Sequence, residues 1–130
     1  MPLLKFDIIQ GRSDAQVRSL LDTAHEAMVQ AFSVPPSDRY QCVTQHRAGE
    51  LVLEDTGLGY PRSLDVVLLT VFSRKRTEAQ KVEFYRLLAE NLQANCALSP
   101  DDLIVSLVEN ADADWSFGRG RAQFLSGELK

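Results

Sequence analysis

Two features of the sequence offer functional groups whose chemistry can be named. Pro2 follows the first methionine, and removal of Met1 would free its nitrogen as a secondary amine. A free α-amine has a reference pKa of about 8, so its surroundings decide whether it is a base or an acid near neutral pH. Arg74 and Arg76 follow an apolar run. Because alternate residues of an extended backbone face the same side, their guanidiniums could hold one carboxylate.

A third feature is the tail from residue 111 onward, which carries Trp115, Phe117 and Phe124. Such a segment is too aromatic to be a disordered end. These rings either fill an ordinary core or line a pocket, and the sequence alone leaves both interpretations open.

The elements that must position these groups come from an internal duplication. A shift of 64 positions places Arg12 on Arg76 without a gap. Each half also carries a hydroxyl residue three positions before a glutamine, the capping-box spacing that opens a helix. We therefore predict a single α/β domain over residues 1–130, built from a duplicated β-α-β unit with halves over about 2–47 and 66–110 and a tail over 111–130.

Apolar periodicity places the strands and helices of each half. The strands are expected over Leu3 to Ile9, Tyr40 to His46, Val66 to Phe72 and Leu103 to Val108, with a possible short one over Leu51 to Leu53. The first helix should bury a stripe that includes Met28 and Phe32. The second, from Glu78 to about Asn95, should bury Phe84, Tyr85, Leu88 and Leu92.

Two such units predict a four-stranded mixed sheet with both helices on one face, because each β-α-β unit joins parallel strands by a right-handed crossover. The opposite face would then be apolar and uncovered by the chain itself. An uncovered apolar face on a chain of 130 residues predicts a ring of subunits that pack these faces together.

Each polar candidate also has a plain structural explanation. Arg76 and Asp38 have identical residues at the same positions of the other half, which favours a shared strand-end or turn role. Arg74 instead aligns with Gln10, so its charge is particular to the second half.

Composition excludes several classes of function. A net charge of −4 with dispersed Lys and Arg argues against a general nucleic-acid binder. No apolar run approaches the roughly 18 residues of a membrane span and no signal segment is visible, so we predict a soluble, cytoplasmic protein. Cys42, Cys96, His25 and His46 show no metal-ligand spacing. We expect two reduced thiols, packed or solvated histidines, and neither metal nor cofactor.

The chain resembles the tautomerase superfamily, and within it the malonate semialdehyde decarboxylase family. The resemblance rests on the Met-Pro start, the Arg74-x-Arg76 pair and four segments, which are Pro2 to Asp7, Asp38 to Tyr40, Glu54 to Tyr60 and Asp112 to Gly118. It implies a trimer with catalytic Pro2, Asp38, Arg74 and Arg76. It also implies an apolar, substrate-binding wall formed by Trp115, Phe117, Phe124 and Leu129.

The activity implied by this resemblance is cofactor-independent decarboxylation of a small 3-oxo acid, such as malonate semialdehyde to acetaldehyde and CO₂. Cationic Pro2 would stabilise the developing oxyanion or form an iminium, while the arginines hold the carboxylate. Three alternatives remain: a keto-enol tautomerase with neutral Pro2, a hydratase in which Asp38 activates water, and a binding protein with a vestigial pocket.

The protonation state of Pro2 distinguishes a decarboxylase from a tautomerase. A decarboxylase needs an acid at neutral pH, so we expect a pKa above the reference of about 8, with Asp38 outweighing the arginines. A tautomerase needs a base, with a pKa below about 7.

Overall fold

The computed structural model describes all of residues 1–130 and consists of two successive β-α-β units followed by a folded tail. The first unit comprises β1 (Leu3–Ile9), α1 (Asp14–Phe32) and β2 (Tyr40–His46). The second comprises β3 (Val67–Arg74), α2 (Glu78–Cys96), a 3-10 turn (Pro100–Asp102) and β4 (Leu103–Asn110). The tail holds a second 3-10 turn (Asp112–Asp114) and a short helix, α3 (Gln123–Ser126).

The two long helices begin in the same way. Before α1, the Ser13 hydroxyl accepts the Gln16 N–H at 3.2 Å, and the Ser13 N–H donates to the Gln16 side chain at 2.8 Å. Thr77 and Gln80 repeat this arrangement before α2, at 3.1 and 2.9 Å. These reciprocal bonds satisfy amide groups that a helix start leaves open. The predicted capping boxes are therefore confirmed.

The four strands form one mixed sheet in the order β2-β1-β3-β4. Each outer pair is parallel, and the two units meet through the antiparallel pair β1 and β3, in which Leu3 lies opposite Phe72. The predicted fold class, a duplicated β-α-β unit with a four-stranded mixed sheet, is confirmed.

Both helices cover one face of this sheet and enclose the core. Alternate residues of the central strands, among them Phe6 and Leu69, are fully buried against Met28 of α1 and Leu88 of α2. Removing a side chain of this size from water stabilises the fold by about 1.5–3 kcal/mol.

Two predictions of local structure are wrong. Tyr85 was expected in the buried stripe of α2, yet it is 37% exposed and Leu87 is buried instead. Residues 51–53 form no strand. Beyond them the Asp55 carboxylate accepts N–H groups from Leu58, Gly59 and Tyr60, so side-chain hydrogen bonds fold this connection into a turn.

The opposite face of the sheet is uncovered within the chain, and its two halves differ in polarity. The β3–β4 half presents Leu68, Phe72 and Val108, as an apolar face requires. The β1–β2 half includes Asp7 and His46, which pair at 2.7 Å. The expected apolar surface therefore extends over only part of this face.

The tail crosses one end of the sheet, from β4 to β2. It starts beside Asn110, whose side chain accepts the Trp115 indole N–H at 2.8 Å. It then reaches Tyr40 at the start of β2, where the ring of Phe117 lies 5.7 Å from the tyrosine ring.

No helix of the structure is both long enough and apolar enough to cross a membrane.

Candidate active site

The sheet topology brings distant parts of the sequence to the end that the tail covers. Leu3 pairs with Tyr40 in the parallel ladder and with Phe72 in the antiparallel one. The starts of β1 and β2 therefore lie beside the end of β3. Pro2 and Asp38 precede the first two strands, and Arg74 ends the third, so all three reach the same region.

A cavity of about 290 Å³ lies at this end of the sheet. Its lining includes five of the predicted site residues together with Met1, Lys130 and the segment Ser33–Pro35. The five are Asp38, Arg74, Arg76, Phe124 and Leu129. Pro2 is fully buried next to Met1 and does not itself line the cavity.

Two of the predicted wall residues lie one layer behind the cavity. Phe117 packs edge-on against Phe124, with ring centroids 5.3 Å apart, and Trp115 stacks on Phe117 at 5.3 Å. Neither lines the cavity. The structure thus places Phe124 and Leu129 at the cavity and makes Trp115 and Phe117 their support.

Arg74 is positioned by the tail. Its guanidinium carbon lies 3.8 Å from the ring centroid of Phe124, and its Nη1 donates to the Asp112 carboxylate at 3.0 Å. Its Nη2 approaches the main-chain oxygen of Lys130 at 3.4 Å. Nε is buried without a protein acceptor, so one donor of this guanidinium is satisfied by no protein group.

Arg76 is positioned by the core instead. Its Nε donates to the Ser73 hydroxyl at 3.1 Å, and its Nη1 to the Phe32 carbonyl at 3.4 Å. Burial and the neighbouring Arg74 lower the pKa of Arg76 below its ordinary value, whereas Asp38 raises it. The two arginines are therefore close enough to repel each other, and a bound carboxylate would relieve that repulsion.

The amino terminus lies within the same electrostatic field. Burial, then Arg76 and then Arg74 lower the pKa of the Met1 amine to about 6, and Asp38 raises it with the smallest effect. At this amine the arginines thus outweigh Asp38, the reverse of the order expected for Pro2. In the chain that carries Met1, the Pro2 nitrogen is an amide.

A larger cavity, of about 620 Å³, lies at the opposite end of the sheet and is the counterpart of the first in the repeat. There Gln10 stands in place of Arg74, and the Arg12 side chain donates to the main-chain oxygen of Asp65 at 2.6 Å. Asp102 is buried and accepts two hydrogen bonds from Ser63. The presence of two arginines, rather than a larger volume, therefore distinguishes the candidate active site from this second cavity.

Two sequence profiles, each described as a tautomerase enzyme, match residues 2–60 and 38–118. A probable tautomerase of Bacillus subtilis (strain 168), YrdN, is 54% identical over 99% of this chain and 100% of its own length. The chain belongs to the tautomerase family of enzymes. A second member from the same organism, the probable tautomerase YusQ, is 29% identical over 96% of this chain and 99% of its own.

Solved structures extend the comparison. A malonate semialdehyde decarboxylase, studied for its decarboxylase and hydratase activities, is 69% identical with a TM-score of 0.97 over 98% of this chain and 99% of its own. A second malonate semialdehyde decarboxylase, inhibited by 3-bromopropiolate, is 38% identical with a TM-score of 0.93 over 98% and 97%. A fused 4-OT trimer, 21% identical with a TM-score of 0.77 over 96% and 98%, shares the fold.

Asp112 was not singled out as a site residue from the sequence. The signal for it lies in the strand register, since Arg74 pairs with Asn110 and Asp112 follows two residues later. Ser33 to Pro35 were also missed, although they lead directly from α1 to Asp38.

Proposed function

We propose that the protein decarboxylates a small 3-oxo acid, with malonate semialdehyde as the substrate and acetaldehyde and CO₂ as the products. One observation carries the proposal: two arginines, an acidic residue and an apolar wall meet in one cavity beside the amino end of β1. The 69% identity to a malonate semialdehyde decarboxylase supports it. The reaction further requires that Met1 be removed, so that Pro2 carries the amine.

The arginines would bind the substrate carboxylate. Arg74 brings a buried unpaired Nε, and Arg76 lies close enough for its pKa to fall. A carboxylate between two guanidiniums can accept charge-assisted hydrogen bonds from both. Binding of the carboxylate in this way would align the breaking C–C bond with the π system of the carbonyl group.

Pro2 would act on that carbonyl oxygen, where negative charge develops as CO₂ leaves. A cationic amine could donate a hydrogen bond or a proton there, or Pro2 could form an iminium. In the free protein burial and then the two arginines would oppose the cationic form, since they lower the pKa of the Met1 amine. A bound substrate carboxylate offsets their charge, so we propose that substrate binding and Asp38 together keep Pro2 protonated.

The apolar wall would favour the transition state over the ground state. Phe124 and Leu129 line the cavity, and the carboxylate loses its charge as it becomes CO₂. An apolar surface therefore disfavours the charged substrate more than the product-like transition state.

A keto-enol tautomerase is the second candidate, and one observation favours it. Burial and the two arginines lower the pKa of the Met1 amine to about 6, and the same surroundings would favour a neutral Pro2 amine. A hydratase would use the same cavity with Asp38 activating water, and a non-enzymatic binding protein would leave the cavity without chemistry. We further infer a cytoplasmic homotrimer acting on a small carboxylate without a cofactor.

Matched preparations with and without Met1 test the proposal. Intact mass would define each sample, and CO₂ release from malonate semialdehyde would be measured for both. The Met-free protein should be active and the Met1-bearing protein inactive, because an acylated nitrogen can neither carry the proton nor attack a carbonyl. Full turnover by homogeneous Met1-bearing protein would exclude the proline mechanism. Enol–keto conversion without CO₂ release would support the tautomerase instead.

A further inference from the structure

The turn that carries Asp38 differs from its counterpart in the second half of the chain. Both turns share one backbone hydrogen bond, from the Asp38 N–H to the Pro35 carbonyl and from the Asp102 N–H to the Ser99 carbonyl, each at 2.9 Å. They differ at the next carbonyl. In the second half, the Pro100 carbonyl accepts the N–H of Leu103, which closes a 3-10 turn.

In the first half, a side chain rather than a backbone N–H donates to the equivalent carbonyl, that of Pro36. The Arg39 N–H bonds to the Ser37 carbonyl at 2.9 Å, and the Pro36 carbonyl instead contacts Nε2 of His25 at 2.8 Å. A carbonyl oxygen only accepts, so the imidazole must donate. The Pro36 carbonyl of the turn beside Asp38 is thus held by a side chain of α1 rather than by the backbone of the turn.

His25 is otherwise unusual in this core. It is 8% exposed, and its Nδ1 is buried without a partner. The neutral Nε2–H tautomer fits this site, because a second N–H would be a buried donor without an acceptor. The repeat places Ala89 opposite His25, so the donor is absent from the half whose acidic residue lies outside the candidate site.

A second contact from α1 holds the other side of the turn. The Arg39 guanidinium bonds to the Asp22 carboxylate at 2.6 Å and to the Gln41 side chain at 2.8 Å. Asp22 and His25 lie three residues apart on α1 and therefore on neighbouring positions of its surface. Together they anchor the backbone before and after Asp38.

The two acidic residues of the repeat are consequently held in different ways. Asp102 is 3% exposed, and its carboxylate is bonded directly by Ser63. Asp38 is half-buried and lines the cavity. A carboxylate that must face a substrate cannot also be saturated by protein donors, so its backbone has to be fixed instead.

We propose that His25 is a positioning residue, which fixes the Asp38 carboxylate in the active cavity through the Pro36 carbonyl. The proposal rests on the proposed function in that Asp38 serves the reaction. His25 does not line the cavity. Its effect on turnover must therefore pass through Asp38.

Three single variants of the Met-free protein test this in the decarboxylase assay. His25→Ala removes the donor and should lower kcat by about 10- to 100-fold, the range expected for a misplaced functional group, with a smaller change in KM. His25→Gln retains a terminal N–H donor and should recover kcat to within about threefold of the parent. Thr23→Ala alters another buried polar residue of α1, whose hydroxyl lies 3.8 Å from Cys96. It should reduce thermal stability and leave kcat within about twofold.

A double variant distinguishes positioning from general destabilisation. In an Asp38→Asn background, His25→Ala should lower kcat by less than about twofold, because effects that act through one residue are not additive. Full additivity would overturn the proposal, as would equal losses of kcat in His25→Gln and His25→Ala.

Amide hydrogen exchange supplies a readout that does not depend on decarboxylation. The exchange of the Asp38 N–H, which bonds to Pro35, should accelerate in His25→Ala and remain slow in His25→Gln and Thr23→Ala. If no variant and no parent releases CO₂ yet this exchange pattern holds, the proposed function fails while His25 still positions the turn. Unchanged exchange in His25→Ala would refute the positioning role whatever the activity.

Discussion

The two arginines of the candidate site are held by different parts of the molecule. Arg74 packs against Phe124 and pairs with Asp112, both in the tail. Arg76 bonds to Ser73 and to the last residue of α1. If the two arginines bind the substrate carboxylate as proposed, substrate binding requires the tail to be folded, because the tail positions Arg74.

Arg74→Ala and Arg76→Ala should each strongly reduce kcat/KM for decarboxylation of a 3-oxo acid. If both guanidiniums hold the substrate carboxylate, each substitution should remove roughly 2–4 kcal/mol of transition-state stabilisation, measured as kcat/KM. Circular dichroism would confirm that the variants remain folded.

Arg12→Ala provides the matched control for this pair. Arg12 occupies the repeat position of Arg76, yet its side chain is bonded to the main chain of Asp65 at the opposite end of the sheet. Its removal should leave kcat/KM nearly unchanged. Equal losses at all three positions would instead indicate that these arginines serve the architecture of the repeat.

Asp38→Asn should lower the pKa of the Pro2 amine, since a negative charge nearby favours the protonated form, as it does at the Met1 amine. If the Pro2 pKa of the decarboxylase lies above about 8, its protonated fraction would then fall most between about pH 7 and 8, so decarboxylation should decrease more there than at about pH 6. An NMR titration of the amine with and without bound malonate, used as an unreactive carboxylate, would measure both effects. A pKa that stays well below 7 in both forms, with no CO₂ release, would favour the tautomerase.

The tail is the element that distinguishes the candidate active site from its counterpart in the repeat. Each end of the sheet presents two strand starts and two strand ends, but only one end is crossed by residues 111–130. Phe117 is central to this crossing because its ring contacts those of Trp115, Phe124 and Tyr40.

Phe117→Ala should loosen the tail without unfolding the sheet. Each aromatic pair contributes about 0.5–1.5 kcal/mol beyond the buried area, so amide exchange across residues 112–128 should accelerate while that of β1 and β3 remains slow. Activity should fall because Phe124 and Arg74 lose their support. Leu125→Ala, a tail residue that is 63% exposed, is the control and should change neither property. Equal exchange in both variants would show that the rings do not hold the tail.

For the whole molecule, the decisive surface is the sheet face that the helices leave uncovered. Its apolar residues lie on β3 and β4, and its hydrogen-bonded pair of Asp7 and His46 lies toward β2. A chain of this size gains stability by burying such a surface against other copies.

We expect light scattering to give three times the 14.5 kDa chain mass, unchanged by moderate dilution. Val108→Asp should dissociate this assembly, because it places a charge on the apolar half of the face. Val82→Asp changes an equally apolar residue on the outer surface of α2, where Val82 is 65% exposed, and should leave the mass unchanged. A stable monomer for the parent protein would contradict the homotrimer.

Much of the fold could be predicted from short-range patterns. The capping boxes depend on residues three positions apart, and the helices they open begin where expected. The tautomerase resemblance was likewise carried by short segments. The predictions for Tyr85 and residues 51–53 were wrong because neighbouring elements and loop hydrogen bonds, rather than local periodicity, decide their environment.

The sequence by itself determined the duplication, the capping residues and the identity of the groups capable of chemistry. Only the tertiary structure decided what identical residues do. Arg12 and Arg76 occupy equivalent sequence positions, yet Arg12 lies beside Gln10 at one end of the sheet and Arg76 lies beside Arg74 and Asp38 at the other. Asp38 and Asp102 are also equivalent in the repeat, yet Asp38 is half-buried and Asp102 is buried. The physical reason is that strand order and the tail set the partners of each side chain, and those contacts join residues far apart in the chain.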